Sequence, residues 1–260
     1  MDKIITIQGL SKIYDGQSSR SIEALHDINL TVFDSEIVCI LGPSGCGKTT
    51  LLNIVAGLLS ATSGSVRICE EEAFQGNLLV SYIQQSPQLL PYRTVLANAA
   101  LSLELRNELG SGGLSKIHSL LKFLGLEEFS SYYPSELSGG MRQRVALART
   151  LSVKSPLILC DEPFSSLDFD NRLEIEEFFW KANKDERRAS IFVTHHIDSA
   201  ISLADRIILM TPRPGRILEV VEIDESLRQQ PPLKRREFPS FSRYFSETWQ
   251  SLHNASGVKV

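Results

Sequence analysis

The sequence predicts an α/β fold: a mostly parallel sheet covered on both faces by helices, with an antiparallel β subdomain and an inserted α-helical subdomain. Three observations predict it. Short apolar runs in "IVCILG", "LILCDE" and "SIFVTHH" have the length of fully buried strands and alternate with helical stretches. One of those runs ends in "GPSGCGKTT", a glycine-rich loop that opens a helix. Nearer the N-terminus, "KIITIQGLSKIY" alternates apolar and polar residues, the pattern of a half-buried antiparallel strand.

The elements follow in order. "ALHDINLTVF" is a second alternating strand, Asp34 and Ser35 make a turn, and a fully apolar strand leads to the glycine-rich loop. "TTLLNIVAGL" has helical spacing, and "GSVRI" and "LLVSYI" read as further strands. From about Pro91 to Leu126 the spacing is helical, interrupted by the flexible "GSGG" at Gly110–Gly113. "SELSGG" starts another helix, "PLILCDE" is a buried strand, and "DNRLEIEEFFWKANKDE" is an amphipathic helix. "SIFVTHH" is the next buried strand, and "DRIILM" closes the alternating pattern. After about Ile223, "SLRQQPPLKRREFPSF" brings three prolines and a basic cluster and reads as a linker. Beyond it, Phe241, Tyr244, Phe245, Thr248, Trp249 and Leu252 recur at helical spacing, which predicts a short helix packed on the main domain. The expected division is one domain over 1–225, with the helical subdomain inserted at about 91–150, then a linker and short helix over 226–260.

Composition narrows the function. A chain of 260 residues suits one large domain with a subdomain. Its net charge of −4 shows no excess of basic residues, so nucleic acid is not expected as a partner. No apolar run approaches the roughly 18–20 residues needed to cross a bilayer. "MDKIITIQGL" carries no signal-peptide core. Cys39, Cys46, Cys69 and Cys160 show no CxxC spacing and read as reduced, buried thiols of a cytosolic protein.

Gly42, Pro43, Ser44, Gly45, Cys46, Gly47, Lys48 and Thr49, with Thr50 behind them, match a phosphate-binding loop. Its glycines let backbone N–H groups point inward around a β-phosphate. Lys48 supplies a mobile positive charge for the β- and γ-phosphates, and Thr49 a hydroxyl for Mg²⁺. A second oxygen ligand is expected at the end of a buried strand, and "LILCDE" supplies Asp161. Glu162 comes next, with its side chain on the opposite side of the strand, where a carboxylate can orient or deprotonate water. An Asp-Glu pair in that position also suits a solvated loop start or a helix cap; the phosphate loop favours the catalytic reading. Cys46 lies among the loop amides at a helix start, where a thiol can be redox-active or simply small enough to fit.

A second turn of phosphate-binding character lies far downstream. "LSGGMRQRVALAR", Leu137–Arg149, resembles the signature sequence of ABC-transporter ATPases. Gln85 in "YIQQSPQLLPY" matches that family's Q-loop glutamine, Ser165–Asp168 its D-loop, His195 its switch histidine and Tyr14 the aromatic that stacks on adenine. The resemblance covers residues 3–223 or so. It implies a P-loop NTPase (RecA-like) core that hydrolyses ATP with Mg²⁺ and works as a head-to-tail pair, most simply a homodimer. Each ATP would lie between one chain's phosphate loop and the other's signature turn, where Ser138, Gly139, Gly140 and Gln143 serve the partner's nucleotide. The resemblance further implies that Glu162 is the general base, that His195 senses the γ-phosphate, and that Asp168 couples the two sites. Thr49, Asp161 and Gln85 would attend Mg²⁺, Gln85 also the attacking water.

"LLPYRTVLANAAL", "YPSELSGGMRQRVALARTL" and "MTPRPGRI" resemble importers of the nitrate, sulfonate and taurine group. That implies a peripheral subunit at the cytoplasmic face of the membrane, docked under two transmembrane permease subunits. A periplasmic or extracellular protein would deliver an anionic solute, and a groove near Gln85–Tyr92 would receive the permease. Tyr92, Asn98 and His196 depart from the group's usual Trp, neighbouring Glu and Asp, and none touches phosphate chemistry. Importers of vitamin precursors such as pyrimidines share most of these motifs. A soluble ABC ATPase acting on nucleic acid or the ribosome is the other reading, although such chains usually carry two ATPase domains or a long coiled-coil insertion.

Overall fold

Alternation with a period of two sets the first layer. In this computed structural model, which describes residues 2–15, 21–73 and 76–255, β1 (Lys3–Tyr14) and β2 (Ile22–Phe33) pair antiparallel. Asp34 and Ser35 turn the chain into β3 (Ile37–Leu41), buried throughout, and the glycine-rich loop opens α1 (Lys48–Val55). The chain then returns to the first sheet for β4 (Ser63–Ile68) and the short β5 (Glu71–Glu72), giving the order β2-β1-β4-β5.

The second sheet takes the buried apolar runs. After β6 (Val80–Ile83) come the helices α2 (Val95–Leu105), α3 (Ser111–Phe123) and α4 (Gly139–Ser152). There follow β7 (Leu157–Asp161), α5 (Phe169–Asp185), β8 (Ala189–Val193), α6 (Ile197–Leu203), β9 (Arg206–Met210) and β10 (Ile217–Glu222). Six strands lie in the order β10-β9-β3-β8-β7-β6. All neighbours are parallel except β10, which runs antiparallel along β9. "DRIILM" forms β9, the last strand of the alternating pattern, as expected. Beyond it β10, absent from the sequence reading, adds a mostly exposed edge strand.

Side-chain alternation divides the core. Ile37, Cys39 and Leu41 of β3, with Ile158 and Cys160 of β7, face the helical side. Val38 and Ile40, with Leu157 and Leu159, face α1 and the antiparallel sheet. A strand covered on both faces must be apolar at every position, so these runs carry no alternation in sequence. The four cysteines are free thiols, and Cys39, Cys46 and Cys160 are buried. Among the described residues no helix is long and apolar enough to cross a membrane.

Two stretches differ from expectation. The break between α2 and α3 falls at Arg106–Gly110, and "GSGG" supplies the cap and first turn of α3. Gly113 belongs there because a Cβ would meet the Glu108 carbonyl oxygen at 2.8 Å. The segment that reads as a linker is folded into α7 (Glu225–Arg228) and α8 (Pro232–Arg235) before α9 (Pro239–Ala255). Pro232 and Pro239 sit where helices begin, a position that needs no N–H donor. α9 packs on α6 and β9, and the Tyr244 hydroxyl accepts from the Asp224 N–H at 3.0 Å. Of the periodic residues, Tyr244 and Thr248 are buried, while Phe245 and Trp249 stay exposed.

Candidate active site

The parallel strands β3, β7 and β8 carry the residues singled out in the sequence at their carboxyl ends, the general place for ligands in such sheets. β3 leads into the phosphate loop. Gly45 and Gly47 there adopt φ of 74° and 105°, and a Cβ on Gly47 would meet the Ala24 carbonyl oxygen at 2.8 Å. Lys48 Nζ donates to the carbonyl oxygens of Gly42 at 2.7 Å and Pro43 at 3.0 Å. Thr50 Oγ1 lies 3.3 Å from the Tyr14 hydroxyl. A cleft of about 290 Å³ is lined by Tyr14, Ile22, Ala24, Gly45, Gly47, Lys48, Thr49, Thr50 and Arg213. Gly42 and Cys46 do not line it: Cys46 is fully buried and packs in the core. Pro43 is partly buried and Ser44 exposed on the same loop.

β7 delivers Asp161, buried at the strand's end. Burial pushes its carboxyl pKa up, while a hydrogen bond with Thr49 and the charge of Lys48 pull the other way. The Thr49 hydroxyl and the Asp161 carboxylate are hard oxygen donors and fit Mg²⁺, which takes one or two protein ligands alongside substrate phosphates. Glu162 is off the strand, not on it as expected. Its φ is +50°, and its N–H donates to the Val193 carbonyl oxygen at 2.9 Å. That left-handed step turns its side chain toward the end of β8. Glu162 Oε1 there meets His195 Nδ1 at 2.9 Å, and Oε2 is buried with no hydrogen-bond partner. The His196 ring lies against that of His195, centroids 4.0 Å apart and planes tilted by 39°. Burial lowers the His196 pKa, and the neighbouring His195 and Arg172 lower it further.

The remaining expected site residues lie apart from this cleft. Ser138 and Gly139 are exposed and Gly140 partly so, and none of them lines it. Ser138 Oγ accepts from the Met141 N–H at 3.2 Å and caps its own helix α4. Gln143 does not share that exposed turn. It is 4% exposed and its Nε2 has no acceptor, because the inward face of α4 carries it into the core. Asp168 caps α5, accepting from the Asn171 N–H at 3.0 Å. Gln85 is exposed on the loop after β6. A larger cavity of about 560 Å³ lies at the opposite, amino-terminal end of the parallel strands, beside Ser35 and Trp180. It holds none of the predicted residues.

Three residues with a part in shaping the site escape a reading of the sequence for chemistry. Arg213 reaches the cleft from the loop after β9 and donates to the Gly45 carbonyl oxygen at 3.2 Å. Arg149, at the end of α4, donates to the carbonyl oxygens of Gln88 at 2.9 Å and Pro87 at 2.8 Å, just beyond Gln85. Asn98 is fully buried and holds both the N–H and the carbonyl of Leu90, at 2.8 and 3.1 Å. The "MTPRPGRI" string, the end of the signature sequence and the odd placement of Asn98 marked their positions in advance, but not their contacts.

Residues 25–165, more than half of the chain, match the ABC transporter family. The chain belongs to that family. An uncharacterized ABC transporter ATP-binding protein of Methanocaldococcus jannaschii is 41% identical over 220 residues, 85% of this chain and 82% of that one. The taurine import ATP-binding protein TauB of Jannaschia sp. is 38% identical over 213 residues, 82% of this chain and 80% of that one. The aliphatic sulfonates import ATP-binding protein SsuB of Bacillus cereus is 37% identical over 218 residues, covering 84% and 85%. A solved ATP-binding cassette, dimeric and bound to ADP and Pi after hydrolysis, matches with a TM-score of 0.76 at 30% identity, over 85% of this chain and 99% of that one. The ABC chain thus has the P-loop NTPase architecture expected of it, and its activity is ATP hydrolysis.

Proposed function

We propose that this ABC ATPase is the energising subunit of a membrane importer that takes up a small anionic solute such as taurine, another sulfonate or nitrate. The observation that carries the reading is the separation within one chain of the cleft around Lys48 from the exposed turn at Ser138 and Gly139. Such a turn at a helix start is an anion site with no anion of its own chain to hold. Two copies arranged head to tail would give each cleft the other's turn. The dimeric cassette with ADP and Pi and the importers named for taurine and sulfonates support that reading.

Each residue then has a task. Lys48 leaves the Gly42 and Pro43 carbonyls for the β- and γ-phosphates, and the loop amides close around them. Tyr14 offers its ring to the adenine. Thr49 and Asp161 would hold Mg²⁺, which would offset charge on the phosphates, and Gln85 would join them on closure. Glu162 orients a water and takes its proton as the water oxygen bonds the γ-phosphorus and the bond to ADP breaks. His195 holds Glu162 in place and meets the γ-phosphate. Ser138 and the amides of Gly139 and Gly140 complete the partner's site, and Asp168 lies on the facing surface. Loss of the γ-phosphate removes the contact that favours the closed pair. The permease subunits would meet the exposed loop at Gln85–Tyr92, at the cytoplasmic face of the membrane.

Purification of the tagged chain from detergent-solubilised membranes tests this directly. A multi-spanning permease and its solute-binding protein should come with it. Only soluble or ribosomal partners, from well-extracted membranes, would defeat the importer reading.

A further inference from the structure

The basic triplet Lys234, Arg235 and Arg236 has no task in the ATPase reading, and two of its members are far from solvated. Arg235 is fully buried. Its guanidinium donates to the carbonyl oxygens of Ala204 at 2.6 Å and Ile201 at 3.3 Å, at the C-terminal end of α6, and to Gln230 at 2.9 Å. Arg236 reaches the other end of the same helix. Its Nη1 donates to Asp198 Oδ2 at 3.0 Å and its Nη2 to Glu176 Oε2 at 3.0 Å. Arg172 of α5 donates to the same Asp198 oxygen at 3.1 Å. Two consecutive residues of the C-terminal segment therefore grip both ends of α6.

α6 needs such a grip. It has seven residues, too few to be stable alone, and its ends are served by the charges its dipole favours. Its N-cap is His196, so its first turn is continuous with His195. A rotation of that turn moves the imidazole that meets Glu162 Oε1 at 2.9 Å. Arg235 satisfies buried carbonyls and holds the fold together. Arg236 binds the first turn through one carboxylate, next to the reacting groups.

We infer that Arg236 is a positioning residue for His195, acting through Asp198 and the first turn of α6, so that the C-terminal segment sets the alignment of the hydrolytic site. This inference rests on the proposed role of His195. The full chain should be assayed for ATP hydrolysis, Mg-ATP binding, thermal stability and amide exchange over residues 196–203. Arg236→Met should lower kcat by about tenfold or more, since small misplacements near the chemistry cost that much, with KM within about twofold of wild type. Exchange in the first turn of α6 should rise, and Arg236→Lys should restore most of kcat. Asp198→Asn, which keeps the side chain's shape, serves if Arg236→Met does not fold, and should show the same loss in kcat. Arg243→Ala, which breaks the exposed pair with Asp224, should behave as wild type. Wild-type kcat in both Arg236→Met and Asp198→Asn, alongside an inactive His195→Ala, overturns the inference alone. So does a loss that follows KM and melting temperature and that lysine fails to rescue. Full activity in His195→Ala removes the role of His195 and the inference with it.

Discussion

Glu162 Oε1 and His195 Nδ1 stand 2.9 Å apart, while the second oxygen of Glu162 is buried and unpartnered. In the proposed mechanism one oxygen serves orientation and the other is left open for chemistry. A buried acceptor without a donor costs stability, and functional sites are where such costs persist.

Glu162→Gln should keep Mg-ATP binding and lower turnover by roughly 10²–10⁴-fold, the usual worth of a general base. With hydrolysis blocked, an ATP-bound dimer should accumulate in size-exclusion chromatography. Unchanged hydrolysis would remove Glu162 from that role.

Ser138→Arg places a bulky charge on the exposed signature turn. Nucleotide binding to the monomer should match wild type, because Ser138 lies outside the chain's own cleft. Hydrolysis that depends on dimer formation should be abolished. Should this variant hydrolyse ATP normally as a monomer, the two-chain site is wrong.

Gly215→Ala tests the interlock behind the phosphate loop. A Cβ at Gly215 would lie 2.0 Å from the Cys46 carbonyl oxygen, while the Gly215 N–H and carbonyl bond Ala24 and His26 of β2 at 2.9 and 3.0 Å. Relief of that clash must move the phosphate loop, at a cost of about 1–3 kcal/mol typical of overpacking. Thermal denaturation and titration with a fluorescent ATP analogue should both register it; wild-type values in both would mean that the two loops are not locked together.

Acid titration should expose the Asp198 ion pairs. Burial raises the Asp198 pKa, but the Arg236 hydrogen bond and the charges of Arg172 and Arg236 outweigh it, leaving the carboxyl below its ordinary 3.8. A depressed carboxylate contributes stability above its unfolded pKa and loses it as pH falls through the folded value. Asp198→Asn should therefore be less stable than wild type near neutrality, with the gap closing only below about pH 4. A gap of constant size down to pH 2 would mean that the charge on Asp198 contributes nothing.

Chemistry-bearing backbone was legible in the sequence where one residue type serves one geometry. The glycines of the phosphate loop, the carboxylates after "LILC" and the Ser-Gly-Gly turn each declare a local need. Tertiary partners are another matter. Arg235 reads as a solvated charge until the carbonyls of α6 surround it. Gln143 reads as part of the signature surface, yet helical phase turns it inward. The left-handed step at Glu162 has no marker at all, since glutamate rarely adopts it. β10 was hidden because "ILEVVE" neither alternates strictly nor runs apolar throughout, so it matches neither strand pattern.

Arg149 and Ser138 occupy opposite ends of α4, a rod of 14 residues. At 1.5 Å per residue it measures about 20 Å. Because Arg149 is fastened to the Pro87 and Gln88 carbonyls, a tug on the loop beyond Gln85 pulls one end of a stiff shaft whose other end displays the signature turn. Displacement at that loop and displacement at the signature turn are in this way two ends of one lever stroke.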